Sequence, residues 1–362
     1  MIWFKRMNKK NLISTLVSIA LLVVFSIAIE GTVTLSGIFS LIFIYAIAAL
    51  ALNIICGCLG EFVLGHGGFV LIGYTIAVKI MQFVQSKMDP TFFFENVFTV
   101  RGGTLHPLGY LIIIGIVIIA AILTGLIGLL VGTIALGRLK GDYLAIVTLG
   151  ISLIFVSICK NFDSLGGGPG ISLGTAIKGK TILYAVFLVV VLFLILTFMK
   201  SRFGRAILAC RDDNIAAEAC GVAVNKSKVL AFTFATFLTG IAGGLLAFNS
   251  LAIPEQYGLT KSIFFLIIIV LGGLGSLTGT IIATCVMVFY EQWFCYQAWV
   301  PTFFQNNPKI IYGVILVLIM LFRSSGILGH NEFTWKWFYS KLKIVWEKIE
   351  SLFKKKTPKE VE

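Results

Sequence analysis

The sequence predicts an all-α polytopic membrane protein with about ten transmembrane segments, some broken or re-entrant, and three observations carry that expectation. Of 362 residues, 58% are hydrophobic and 12% charged, and the mean hydropathy is +1.00, far from the balance of soluble domains. The apolar residues fall into successive runs near the ~20 residues a helix needs to cross a bilayer. The basic residues, which give a net charge of +13, gather in a few segments between and beyond those runs. That distribution orients membrane proteins and argues against a nucleic-acid-binding face.

In chain order, spans are expected near residues 12–29, 35–56, 66–86, 108–136, 142–160, 181–199, 228–249, 260–273, 278–298 and 308–323. An even number returns both termini to one side. Lys and Arg favour one alternating set of loops: the arm 1–11, Arg138 and Lys140, the segment 200–228, and the tail from Arg323. By the positive-inside rule these face the cytoplasm, so both termini are expected on the inner side of the membrane. The first run lacks a small-residue cleavage site and leads into "EGTVTLSG", so it reads as a span rather than a removed signal peptide. The expected organisation is a basic arm (1–11), a membrane domain (12–323) and a basic tail (324–362). Two longer external loops, 87–107 and 161–180, could dock an external partner; the second is rich in glycine and turn residues.

No catalytic set is legible. The 3 histidines lie far apart, no His/Cys/carboxylate group has metal-ligand spacing, and no nucleophile has a recognisable base. The 7 cysteines are odd in number, lack CxxC spacing and lie in or beside apolar runs, which reads as free thiols used as small hydrophobes. "GTAIKGKT", Gly174 to Thr181, spells a phosphate-binding loop. That mechanism needs a buried strand before it and a soluble helix after it. Here a glycine-rich loop precedes it and an apolar span follows, so the match is a coincidence of spelling.

Two stretches are too glycine-dense for plain lipid-facing helix. "NIICGCLGEFVLGHGGFVLIGYT" holds Asn53, Glu61, His66, Gly67 and Tyr74; "LGGLGSLTGT" holds Gly272, Gly273 and Gly275. Non-helical backbone at membrane depth is tolerated only where protein or a watery cavity satisfies it, so these residues are candidates for a translocation pathway or gate. Close helix packing accounts equally for the glycines, and part of the first stretch could be a cytoplasmic turn. Glu61, His66 and Glu291 are costly in lipid, whether they serve transport or structure.

The segment 200–228 contains "RDDNIAAEACGV", a polar stretch of helix-making composition. Asp212 or Asp213 is a natural N-cap and Gly221 a natural stop, which predicts a helix of about two turns. Ile215 and Ala219, and Ala216 and Cys220, are spaced four apart, giving a small apolar face, while Asn214 and Glu218 lie opposite. Ala217 lies between these pairs. So short a helix must dock on something, either a partner's groove or the interface. In the tail, Trp335, Trp337, Phe338, Leu342, Val345, Trp346, Ile349 and Phe353 alternate with lysines, as in a helix lying on membrane lipid or against a subunit.

"AAEACG" resembles the cytoplasmic EAA-type loop of ABC importer permeases. With "LNIICGCLGEFVLGHGGFVLIGYT", "RLKGDYLAIVTLG", "GRAILACRDDNIAAEACGVAVNKSKVLAFTFATFLTGIAGGLLA" and "GGLGSLTGTIIA" in that order, the chain resembles the LivM-type branched-chain amino acid permeases over roughly residues 40 to 325. Glu61 stands where that family more often has Gln, and "GGGPGI" varies its glycine-rich external motif. Related permeases carry urea or short amides. The resemblance implies a second, LivH-type permease subunit, two ATP-binding subunits that hold ATP and Mg, an external solute-binding protein, and no cofactor on this chain. It also implies that the 212–221 helix couples to the ATPase. A different class, an ion-gradient-driven transporter working alone, would need an ionisable relay in mid-span, which this sequence supplies only weakly.

Overall fold

The computed structural model describes residues 33–87, 107–136, 141–170, 173, 180–294 and a few isolated positions beyond. The expected span at 12–29, most of that at 308–323, the arm and most of the tail lie outside the described residues. Among those described the chain is helical, with six helices long and apolar enough to cross a membrane. They are α1 (Val33–Asn53, continued by a π-turn at Ile54–Leu59), α2 (His66–Lys87), α3 (Pro107–Ala135), α4 (Asp142–Asn161), α5 (Lys180–Lys200) and, after two short helices, α8 (Val224–Ala247).

The expected span at 260–273 is found at its expected short length, and that at 278–298 is shorter than anticipated. They form α9 (Leu259–Gly272) and α10 (Leu277–Gln292), of 14 and 16 residues. At 1.5 Å per residue they rise about 21 and 24 Å, less than the ~30 Å hydrocarbon core. Residues after α8 turn back into the protein, so that Ala252 and Tyr257 are buried just ahead of α9.

Helix α1 is apolar all round because it is the hub. It packs against α8, α10, α5 and α9, and residues 44, 46–52 and 54 are fully buried. Helix α8 lies against α3 and α2, its small residues Gly240, Gly243 and Gly244 allowing close approach. Helices α4 and α5 leave most of their apolar surface outward, as helices facing lipid do.

The segment 200–228 holds more structure than the sequence suggests. An amphipathic helix, α6 (Arg202–Asp212), precedes the anticipated one, α7 (Asn214–Ala219). Ser201 caps α6, accepting hydrogen bonds from the amides of Phe203 and Gly204, and the helix buries Gly204, Ile207 and Cys210. The P-loop look-alike has an ordinary packing role where it is described. The Thr181 hydroxyl lies 3.2 Å from that of Ser40, and Lys180 Nζ lies 3.5 Å from the Asn249 carbonyl.

Candidate functional site

The two glycine-dense stretches, far apart in sequence, meet in one place, and Asn53 joins them. Its amide nitrogen donates to the Ser276 carbonyl and to Thr280 Oγ1, both at 3.0 Å, and its amide oxygen accepts the Gly275 N–H at 2.8 Å. Asn53 is fully buried, so each bond replaces water that the site excludes. Beside it the backbones of Gly57 and Gly275 touch; a β-carbon on Gly57 would collide with Gly275. The π-turn Ile54–Leu59 and the turn Gly273–Ser276 therefore form a single interlocked node.

The short helices α6 and α7 reach this node directly. Arg211, in the last turn of α6, lies across it. Its Cγ and Nη1 are 3.1 and 3.7 Å from where β-carbons on Gly60 and Gly275 would stand. Glu61 and Lys228 form an ion pair next to it, with side chains 12% and 6% exposed. That pair ties the node to the first turns of α8. Cys210 is buried alongside; burial pushes its thiol pKa up, and the charge of Lys228 pulls it back.

Helix α7 projects from this base. The Asp213 carboxylate accepts the amides of Ile215 at 2.8 Å and Ala216 at 3.2 Å, while Asp212 ends α6. At the other end Gly221, at φ +81°, lets its own N–H reach the Glu218 carbonyl and that of Val222 the Ala217 carbonyl. This is the Schellman arrangement that glycine allows. Only Ala217 is buried; Ile215 is 81% exposed, and Ala216, Glu218, Ala219 and Cys220 are also exposed. The apolar face foreseen from the spacing is thus open.

The remaining candidates lie deeper. After Gly60 the chain runs without helix to Gly65, and α2 begins at His66, whose Nε2 is 2.8 Å from the Ala48 carbonyl. Ala48 is about 8 Å from Asn53 along α1, so this non-helical stretch climbs from exposed Gly60 to buried His66. The Gly67 amide donates to Ser262 Oγ at 2.9 Å, which brings the starts of α2 and α9 together. Tyr74 is used by the returning segment, its hydroxyl donating to the Ser250 carbonyl at 3.4 Å and accepting the Ala252 amide at 3.2 Å. Gly272 packs on the backbone of Gly279. His66, Gly67 and Tyr74 thus line an internal junction, separate from the node around Asn53, Gly273 and Gly275.

Sequence reasoning missed Lys228 and Lys261. Lys261 pairs with Glu291 at 3.2 Å and stands 4.7 and 4.9 Å from the ring centres of Phe264 and Tyr45. Its signal was available, since a lone Lys in the apolar run "LTKSIFF" needs a partner. Among the described residues no group of His, Cys, Asp and Glu could hold a metal ion.

Comparison with known proteins adds the family. A family model described as the permease component of the branched-chain amino acid transport system matches residues 33–320. The high-affinity branched-chain amino acid permease protein LivM of Escherichia coli K12 is 31% identical, across 83% of this chain and 70% of its own length. LivM of Salmonella typhimurium LT2 is 32% identical, across 79% and 68%. LivH of Escherichia coli K12 is 22% identical, across 80% and 92%. No solved structure matches. With the family model spanning most of the chain, this multi-pass protein belongs to the permease components of the branched-chain amino acid transport systems.

Proposed function

We propose that this chain is the LivM-type subunit of an ATP-driven importer that moves branched-chain amino acids delivered by an external solute-binding protein. It pairs with a LivH-type permease and with two ATP-binding subunits, which hold ATP and Mg. The chain spans the membrane ten times with both termini in the cytoplasm. Six helices of spanning length, two shorter ones and the alternation of basic segments support that topology. The substrate class is supported by the names of the relatives. The departure at Glu61 does not argue for another solute, because its carboxylate is engaged by Lys228 within the fold.

The observation that carries the coupling assignment is that Arg211, at the end of α6 just before exposed α7, lies on the node joining both backbone breaks. Closure of the ATPase pair pushes on α7. Arg211 passes the displacement to Gly60 and Gly275, Asn53 shares it between α1 and α10, and the Glu61–Lys228 pair carries it to α8. Such a push shifts the inward–outward equilibrium only insofar as ATPase contacts differ between the two states. The external loops 87–107 and 161–180 serve as the docking face for the binding protein. In the second, Gly170 packs on Ala252, and Lys160 at the end of α4 meets Glu255 at 3.3 Å.

Glu218→Arg and Ala216→Trp test the coupling role, since both residues are exposed on α7 and neither supports the fold. Each variant should insert and assemble normally yet lose solute uptake and stimulated ATP hydrolysis. Uptake at the wild-type rate in either variant removes the coupling assignment.

A further inference from the structure

Helix α8 carries a half-buried stripe, Val229, Leu230, Thr233, Phe234 and Phe237, at the i, i+4, i+8 spacing of one helix face. It floors an open groove of about 810 Å³, walled by Leu126 and Leu129 of α3 and by Leu194 and Phe198 of α5. The groove exists because α5 packs on α1 and α6 and not closely on α3. Phe198 closes one edge by stacking on Phe234, with ring centres 4.0 Å apart. All three bordering helices are long and apolar enough to cross a membrane.

One end is chemically different. Asn225 and Lys226, both exposed, line it at the start of α8, on the side where α6 and α7 lie. Among the described residues Lys226 is the one charged residue of the lining. Two more exposed cations are close in the chain to that end: Lys200 closes α5 two residues beyond Phe198, and Arg205 donates to the Lys200 carbonyl at 3.0 Å. An apolar trough ending in cations at the membrane surface matches an acyl chain with an anionic headgroup.

We infer that the α3–α5–α8 groove binds an anionic phospholipid, its acyl chain along Val229–Phe237 and its phosphate at Lys226. The bound lipid fills the wedge between α3 and α5 beside the first turns of α8. Those turns carry Lys228, so the lipid is adjacent to the coupling node. The assignment rests on the membrane setting and not on which solute is carried.

Native mass spectrometry of the assembled transporter, released from detergent with equal phosphatidylglycerol and phosphatidylcholine, tests it. The wild type should retain phosphatidylglycerol preferentially. Lys226→Gln should reduce that preference about five-fold, the effect of one lysine near a charged membrane surface. Thr233→Trp, which fills the groove, should lose one bound lipid. Unchanged headgroup preference in Lys226→Gln overturns the inference even if Thr233→Trp fails to assemble. So does a photo-crosslinker at Leu230 that joins the second permease subunit instead of lipid.

Discussion

Lys228 is 5% exposed and meets Glu61 inside an otherwise apolar body, so each charge is tolerable only because of the other. Lys228→Met strands the Glu61 carboxylate and should cost about 3–5 kcal/mol, read as a large fall in the thermal midpoint of the detergent-solubilised complex. The double variant Glu61→Gln with Lys228→Met should recover most of that loss. A double variant as unstable as the single one would show that the pair is not the cause. Glu61 was visible in the sequence as an expensive residue, but its partner lies 167 residues away and was not. Asn53 is similar: the residue type announced hydrogen bonding, while its acceptor and donor, 222 and more residues distant, came only from packing.

Helices α6 and α7 differ in how far local chemistry specifies them. Helix α7 is set by its ends, Asp213 and Gly221, and both were legible as caps because capping acts over three or four residues. Asp213→Ala should cost about 1 kcal/mol, the usual value of an N-cap, and speed amide exchange at Ile215 and Ala216 relative to α8. Equal exchange rates in the variant and the wild type would mean that α7 is held by contacts and not by its cap. Helix α6 escaped notice because it is short, basic and marked only by Ser201 and by Gly204, Ile207 and Cys210 at threefold spacing. Its stability comes from tertiary burial against α5, α8 and the π-turn, which no local pattern records.

For the whole molecule, the arrangement puts α7 and the node at one end and the returning segment before α9 in the interior. Two cysteines report on that geometry. Cys220 is exposed at the end of α7, whereas Cys210 is buried with its thiol pKa raised. A thiolate reacts and a thiol does not, so at neutral pH maleimide should modify Cys220 quickly and Cys210 slowly. In a cell, Cys220 should react only with reagent that crosses the membrane, and assembly with the ATPase subunits should protect it. Labelling of Cys220 by an impermeant reagent from outside would invert the topology.

The sequence by itself determined the membrane class, the position of most spanning helices, the caps of α7 and the family resemblance. These depend on composition, on apolar runs and on motifs a few residues long, where the physics is local. Only the tertiary structure decided that the two glycine-dense stretches are one node, that Arg211 touches both, and that the segment before α9 turns back into the protein. It also assigned partners to Glu61 and Glu291. Those outcomes follow from burial of polar groups in a body that admits little water, where each donor and charge must find its complement wherever the fold brings one.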